Sequence, residues 1–170
     1  MEELFTLYKL IILYMLDRVD FPLSNSQISD FVLGKGYTTY FKLQQALSEL
    51  TEARLIREEK SHRRTIFHLT EDGASTISYF KNHISPAIQD DINHYLKEHA
   101  YDLKNEVSVK ADYYRNTNAE YSVRCQVIEG ELPLIDLTIT VPSETEAQSV
   151  CERWRRKNQE LYALIMANLL

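Results

Sequence analysis

The sequence predicts an α+β fold, with helices in the first part of the chain and a three-stranded antiparallel sheet packed on a long C-terminal helix in the last part. Through most of the chain before Glu106, apolar residues recur at spacings of three and four, which is typical of helices. From Glu106 to Val141 they alternate with polar residues, which is typical of strands. Glycine and proline are scarce and tyrosines number 11, so the composition indicates a folded chain.

Residues 37–53 are predicted to form a helix with one buried side and one open side. The open side carries no acidic residue in its first two turns, and Glu49 and Glu52 come near its end. A helix that enters a DNA groove makes its contacts with its N-terminal half, where carboxylates would be repelled by phosphate. The residues predicted to be buried are Tyr40, Leu43, Ala46, Leu47 and Leu50.

The segments around this helix complete a recognisable order. A second helix, capped by Ser24 or Ser26, is predicted to run through Leu33 and to reach residue 37 through a glycine-containing turn. After it, two short strands (55–60 and 65–69) flank a polar turn, residues 61–64, and Thr70 caps a further helix. Helix, turn, helix, strand, basic turn and strand is the order of a winged helix-turn-helix module.

Two short motifs resemble those of winged-helix transcriptional regulators of the PadR and MarR kind. In those regulators the helix commonly ends in Leu-x-x-Leu, and Leu-Thr-x-x-Gly follows the wing. This chain has Leu47 and Leu50 in the helix and Leu69-Thr70-Glu71-Asp72-Gly73 after the wing, but it places Arg54 where many members have glycine. The whole layout is also similar to an uncharacterised family from Gram-positive bacteria that joins such a module to a small C-terminal α/β unit. The resemblance covers residues 1–83 and implies a DNA-binding transcriptional regulator.

Double-stranded DNA is therefore the predicted partner, with the helix in the major groove and the wing on the backbone or in the minor groove. Lys42 suits guanine or phosphate, Gln45 suits adenine, and Phe41 suits the methyl group of thymine. The wing arginines suit phosphates or the minor groove. The predicted DNA-binding residues are Thr38, Thr39, Phe41, Lys42, Gln44 and Gln45 of the helix and His62, Arg63 and Arg64 of the wing.

Two domains are predicted: residues 1–83, the DNA-binding domain, and residues 84–170, a linker helix and an α+β unit that either helps dimerisation or senses a small-molecule effector. The stretch Leu4–Leu16 is apolar nearly all round, so we expect its second face to pack on another chain or on the C-terminal unit. This favours a homodimer through the N-terminal helix, with the linker or C-terminal helix as further candidates. The alternative is a central helix buried within one chain.

Other functions find weaker support. The net charge of −6 falls mainly outside residues 1–83. Because an acidic chain attracts DNA less, an alternative function is a winged-helix protein-protein interaction module that does not bind DNA.

Asp90 and His94 lie four residues apart, but with no third ligand at useful spacing we expect no metal, no cofactor and no enzymatic activity. Cys125 and Cys151 are expected to be buried free thiols in preference to a redox switch. The basic run Arg153–Lys157 is expected to be a solvated helix face, with a dimer contact as the alternative. An acidic N-terminus and an apolar stretch too short to cross a bilayer favour a cytoplasmic protein without a membrane partner.

Overall fold

The computed structural model describes residues 2–61 and 64–170, with the side chains from residue 6 onward. The described part mixes helices with antiparallel sheet, as the predicted α+β class requires. In chain order the elements are α1 (Glu2–Asp17), β1 (Leu23–Ser24), α2 (Asn25–Gly34), α3 (Tyr40–Glu52), β2 (Ile56–Lys60), β3 (Thr65–Leu69), α4 (Glu71–Phe80), a 3-10 turn (Lys81–His83), α5 (Pro86–Ser108), β4 (Val109–Arg115), β5 (Tyr121–Glu129), β6 (Leu132–Val141) and α6 (Glu144–Leu169).

The chain divides into two compact units, Met1–Val107 and Ser108–Leu170. The sequence placed the boundary after residue 83 and assigned the linker helix to the second domain. In the structure that helix, α5, buries Ile92, Leu96 and Leu103 in the core of the first unit. Leu103 and Val107 are both buried and four residues apart, so helical spacing continues past the predicted start of a strand at Glu106.

Helix α1 is the central helix of the first unit. Every residue from Leu10 to Leu16 is at most 5% exposed within a single chain, and α3, α4 and β3 pack around it. Tyr14 donates its phenol proton to Asn93 on α5 at 3.2 Å. The sequence predicts that the second face packs on another chain or on the C-terminal unit. Leu10–Leu16 are covered within one chain, and part of that cover is α5, which the sequence assigned to the C-terminal unit. These residues therefore do not require a second chain.

The first unit also contains a small antiparallel sheet with strand order β1-β3-β2. Thr70, at the end of β3, caps α4 and donates its hydroxyl proton to the carbonyl of Leu55 at 2.9 Å. Gly73 follows in the first turn of α4, where a Cβ atom would lie 2.0 Å from that same carbonyl oxygen. The Leu-Thr-x-x-Gly motif thus holds α4 against the chain leaving α3, because any larger side chain at residue 73 would push the two apart.

In the second unit, α6 packs against an antiparallel sheet with strand order β4-β5-β6, as the sequence predicted. The predicted capping box is present at the start of α6, where Ser143 accepts from the backbone N–H of Glu146. Trp154 donates its indole N–H to the carbonyl of Gln126 at 3.2 Å. The buried core consists of Val109, Ala111, Val123, Cys125, Ala147, Cys151 and Trp154.

Among the described residues, no helix is both long enough and apolar enough to cross a bilayer.

Candidate nucleic-acid interface

The open end of α3 begins at Tyr40, three residues later than the sequence predicted. Thr39 is the N-cap, with an extended backbone, and its hydroxyl accepts from the N–H of Lys42 at 3.4 Å. Tyr37 cannot extend the helix because its phenol donates to Asp91 on α5 at 2.7 Å and its ring meets Phe31. The pKa of Tyr37 is raised to about 12, mainly by partial burial and to a smaller extent by the hydrogen bond to Asp91. Gly36, with φ of 71°, supplies the turn before it.

Two large aromatic side chains are exposed at this end of α3. Phe41 is 78% exposed and Tyr40 is 59% exposed. Tyr40 was predicted to lie on the buried side, which is wrong: spacing places it in line with Leu43 and Leu47, but it is the first helical residue and projects beyond the core.

Polar residues at the same end are also accessible. Thr39, Lys42 and Gln45 are exposed, and the first turn of α3 has no acidic residue. The unpaired N–H groups and the positive end of the helix dipole point in the same direction, so this end of α3 attracts anions. Of the predicted helix contacts, Thr39, Phe41, Lys42 and Gln45 are accessible.

The other two predicted helix contacts are less available. Gln44 is half-buried and forms a reciprocal amide pair with Asn25, with distances of 2.8 and 3.0 Å between nitrogen and oxygen. Thr38 is half-buried, and its Oγ1 is buried without a hydrogen-bond partner. Gln44 therefore holds α2 and α3 together, a role that helical spacing within α3 alone does not reveal.

The turn between β2 and β3 is the predicted wing. Lys60 and Thr65 pair across the hairpin, and the N–H of Ser61 donates to the carbonyl of Arg64 at 2.9 Å. His62 and Arg63, two of the three predicted wing contacts, lie outside the described residues.

The third wing residue, Arg64, is attached to α5. Its guanidinium donates to the backbone carbonyl of Glu106, and the Glu106 carboxylate accepts from Gln27 of α2 at 2.9 Å. Gln27 is buried and also donates to the carbonyl of Leu103 at 3.1 Å. The base of the wing, the start of α2 and the last turns of α5 are therefore linked. The sequence gives no sign of this link, because the residues are separated by up to 79 positions.

The other end of α3 carries the acids. Glu49 lies 2.6 Å from the ammonium group of Lys9 on α1, and the hydrogen bond from Lys9 holds the pKa of Glu49 below its usual value. Arg54, which follows the helix, has φ of 60° and so adopts the left-handed conformation that glycine most often provides after a helix. The leading end of α3 thus remains free of carboxylates, and one acid at its far end is neutralised.

His94, which the sequence places four residues after Asp90, lies 3.6 Å from Glu98 on the exposed side of α5. Within residues 2–61 and 64–170, no three His, Cys, Asp or Glu side chains form a group that could hold a metal ion. Cys125 and Cys151 are buried free thiols, and burial raises the pKa of Cys125 to about 11, which disfavours a reactive thiolate.

Comparison with known proteins identifies the family and no closer relative. The family model described as a domain of unknown function (DUF4364) matches residues 8–169, so the chain belongs to that family. No curated protein and no solved structure matches the chain.

Proposed function

We propose that this member of the DUF4364 family is a homodimeric transcriptional regulator that binds double-stranded DNA with α3. The observation that carries the proposal is the accessible leading end of α3, where Thr39, Lys42 and Gln45 are exposed and acidic residues are absent from the first turn. A protein of this kind works where the chromosome is, which agrees with the cytoplasmic location expected from the sequence.

The order of elements in the first unit supports a winged helix-turn-helix. Helices α2 and α3 are joined by a short turn, and β2 and β3 form an antiparallel hairpin directly after α3. In such modules the second helix of the pair enters the major groove and the hairpin tip approaches the backbone or minor groove. In a dimer, the two recognition helices would enter successive major grooves about 34 Å apart.

Each accessible residue suits a particular part of the duplex. Lys42 contacts guanine or a phosphate, Gln45 reads adenine through its amide, and Phe41 contacts a thymine methyl group. Thr39 and the first N–H groups of α3 bind a phosphate at the helix end. Arg64 adds a positive charge at the base of the hairpin, and a cation there attracts the phosphate backbone.

A protein-protein interaction module is the second candidate, and the exposure of Tyr40 and Phe41 favours it. Exposed aromatic residues are enriched at the centres of protein interfaces, where truncating them costs the most binding energy. The net charge of −6 also lowers the non-specific attraction of the chain to DNA.

Fluorescence anisotropy with a labelled random-sequence duplex tests the proposal. We expect the full chain to bind at low salt, and we expect its affinity to fall steeply as salt rises, because Lys and Arg release counterions from phosphates. Lys42→Ala should weaken binding on all sequences and reduce the salt slope by about 1 if Lys42 contacts a phosphate. Lys97→Ala, an exposed lysine in the middle of α5, is the matched control and should leave binding unchanged.

The two candidates give different results. If α3 serves a protein partner, no duplex binding is observed even at low salt, and the DNA proposal is abandoned. If the wild type binds, a selection from a random DNA pool gives the operator, and Gln45→Ala should relax the preference at one base position.

A further inference from the structure

Helix α6 is longer than the sheet that it covers. Its 26 residues span about 39 Å, whereas the buried residues of its inner side stop at Asn158. Beyond that point Leu161 is 39% exposed, Leu164 59% and Leu169 76%. The last three turns of α6 therefore present leucines that the sheet of the second unit does not cover.

Leu161 continues the stripe that packs against the sheet, and Leu164 lies beside that stripe one turn further on. Ala147, Cys151, Trp154, Asn158, Leu161 and Ile165 follow one another at alternating spacings of four and three. This repeat is the pattern of a helix that packs along another helix. Asn158 is the last residue of the part of the stripe that faces the sheet. Its side-chain amide donates to the carbonyl of Trp154 at 3.0 Å. The remaining part of the stripe has the right spacing for a helical partner.

Charges along α6 indicate what kind of helix that partner is. Arg153, Arg156 and Lys157 precede the exposed leucines, and they line a shallow groove together with Glu160 and Leu161. The last turn of α6 contains no basic residue, so no side chain of that turn offsets the partial negative charge at the C-terminal end of the helix. Helix α6 thus carries cations before Leu161 and the partial negative charge of its C-terminal end after Leu164.

We propose that a second copy of this chain covers this surface, with the two α6 helices packed antiparallel about a two-fold axis between Leu161 and Leu164. Antiparallel pairing brings Leu161 of each copy beside Leu164 of the other. It also brings Arg156 and Lys157 beside the last turn of the second copy, since they precede the axis by as many residues as that turn follows it. Because a two-fold axis relates the two copies, the same surface of each copy forms both contacts, and each contact occurs twice.

This inference deepens the homodimer of the proposed function, and it replaces α1, which its own chain already covers, with α6 as the contact. The alternative reading of the basic run Arg153–Lys157 as a dimer contact fits this arrangement. The inference does not depend on DNA, because the leucines, the cations and the helix end all belong to the second unit.

Sedimentation or light scattering of the full chain without DNA tests the dimer. We expect the wild type to be dimeric at micromolar concentration and Leu164→Glu to raise the dissociation constant at least about tenfold, because it places a carboxylate in an apolar contact. The matched control is Leu132→Glu at the start of β6, a leucine that is more exposed (75%) than Leu164 and should remain dimeric when replaced. Circular dichroism verifies that both variants are folded.

Cysteine cross-linking tests the antiparallel arrangement separately. Leu161→Cys places a thiol on the contact side of α6, about 4.5 Å along the helix from its counterpart, and should form an intermolecular disulfide. Asn168→Cys lies on the same side but about 16 Å from its counterpart in the antiparallel pair, so it should not. The natural thiols do not interfere because both are buried. Cross-linking of both variants would indicate parallel helices and would overturn the arrangement.

Other occupants of the surface would also be detected. A wild-type monomer at all concentrations, or a dimer that Leu164→Glu leaves intact, overturns the proposal. Flotation of a wild-type monomer with anionic lipid vesicles would identify a lipid surface as the occupant instead. In each of these cases DNA binding by α3 remains open to its own anisotropy test, so the two proposals fail separately.

Discussion

At the scale of single residues, Gly73 determines how closely α4 approaches the chain that leaves α3. The hydroxyl of Thr70 and the missing side chain of Gly73 act at the same carbonyl, that of Leu55. This contact lies three residues after α3 ends at Glu52. Arg54 completes the same junction in a left-handed conformation, which costs a non-glycine residue roughly 1–2 kcal/mol.

Replacing Gly73 by alanine tests this junction. We expect Gly73→Ala to lower the free energy of unfolding by about 2–3 kcal/mol, because the obstructing atom is a backbone oxygen that cannot move aside. Gly34→Ala is the matched control at the end of α2, where a Cβ atom would meet nothing within 4 Å, and it should be neutral or stabilising by up to about 1 kcal/mol. Urea unfolding followed by circular dichroism measures both. Equal effects of the two substitutions would contradict the close approach at residue 73.

The sequence anticipated the residues of this junction but not what they do. The motif Leu69–Gly73 can be recognised in the sequence, whereas the role of its glycine depends on the carbonyl of Leu55, 18 residues earlier in the chain. Gln44 illustrates the same difficulty, since its pairing with Asn25 depends on the angle between two helices. The exposure of Lys42 and Gln45 was predictable because exposure on one helix follows from its period.

At the scale of elements, α1 shows how a helix that is apolar all round is satisfied without a partner chain. Ile12 is completely buried, and the residues on either side of it are covered as well. The covering comes from α3, α4 and β3, with α5 reached through the Tyr14–Asn93 hydrogen bonds. The sequence correctly indicated that two faces must be buried. It offered a second chain or the C-terminal unit as the partner, and α5 belongs to the second of these as the sequence divided the chain.

Truncating Ile12 distinguishes the two arrangements of α1. We expect Ile12→Ala to cost about 2–5 kcal/mol of unfolding free energy, with no change in the dimer's dissociation constant, because the cavity forms inside one chain. Phe41→Ala, an apolar truncation on an exposed side chain of the same unit, should change stability by less than about 0.5 kcal/mol. Chemical unfolding and sizing provide the two readings. Loss of dimer in Ile12→Ala with little loss of stability would restore α1 as the interface.

At the scale of the whole molecule, the two hydrophobic cores share no residue. The first core ends at Leu103 and the second begins at Val109, so the division follows Val107. Strand alternation and the capping box at Ser143 were sufficient to predict the second unit, because both signals are local. The boundary was harder to predict because the apolar side of α5 does not indicate which core it joins.

Fragments test where the first unit ends. We expect residues 1–107 to fold alone and to unfold cooperatively, since their core is complete. Residues 1–83 should be unfolded or aggregated, because without α5 they expose the surface that Ile92, Leu96 and Leu103 cover. Thermal unfolding followed by circular dichroism compares them. A stable 1–83 fragment would show that α5 does not belong to this core.

The most direct test of the central claim is the perturbation of backbone amide NMR signals in the full chain during titration with a random-sequence duplex at low salt. If α3 enters a groove, the shifts should concentrate between Thr39 and Gln45 and in the turn between β2 and β3, and they should diminish as salt is added. Unchanged signals, or shifts that leave the first two turns of α3 untouched, would contradict the claim that this helix binds DNA.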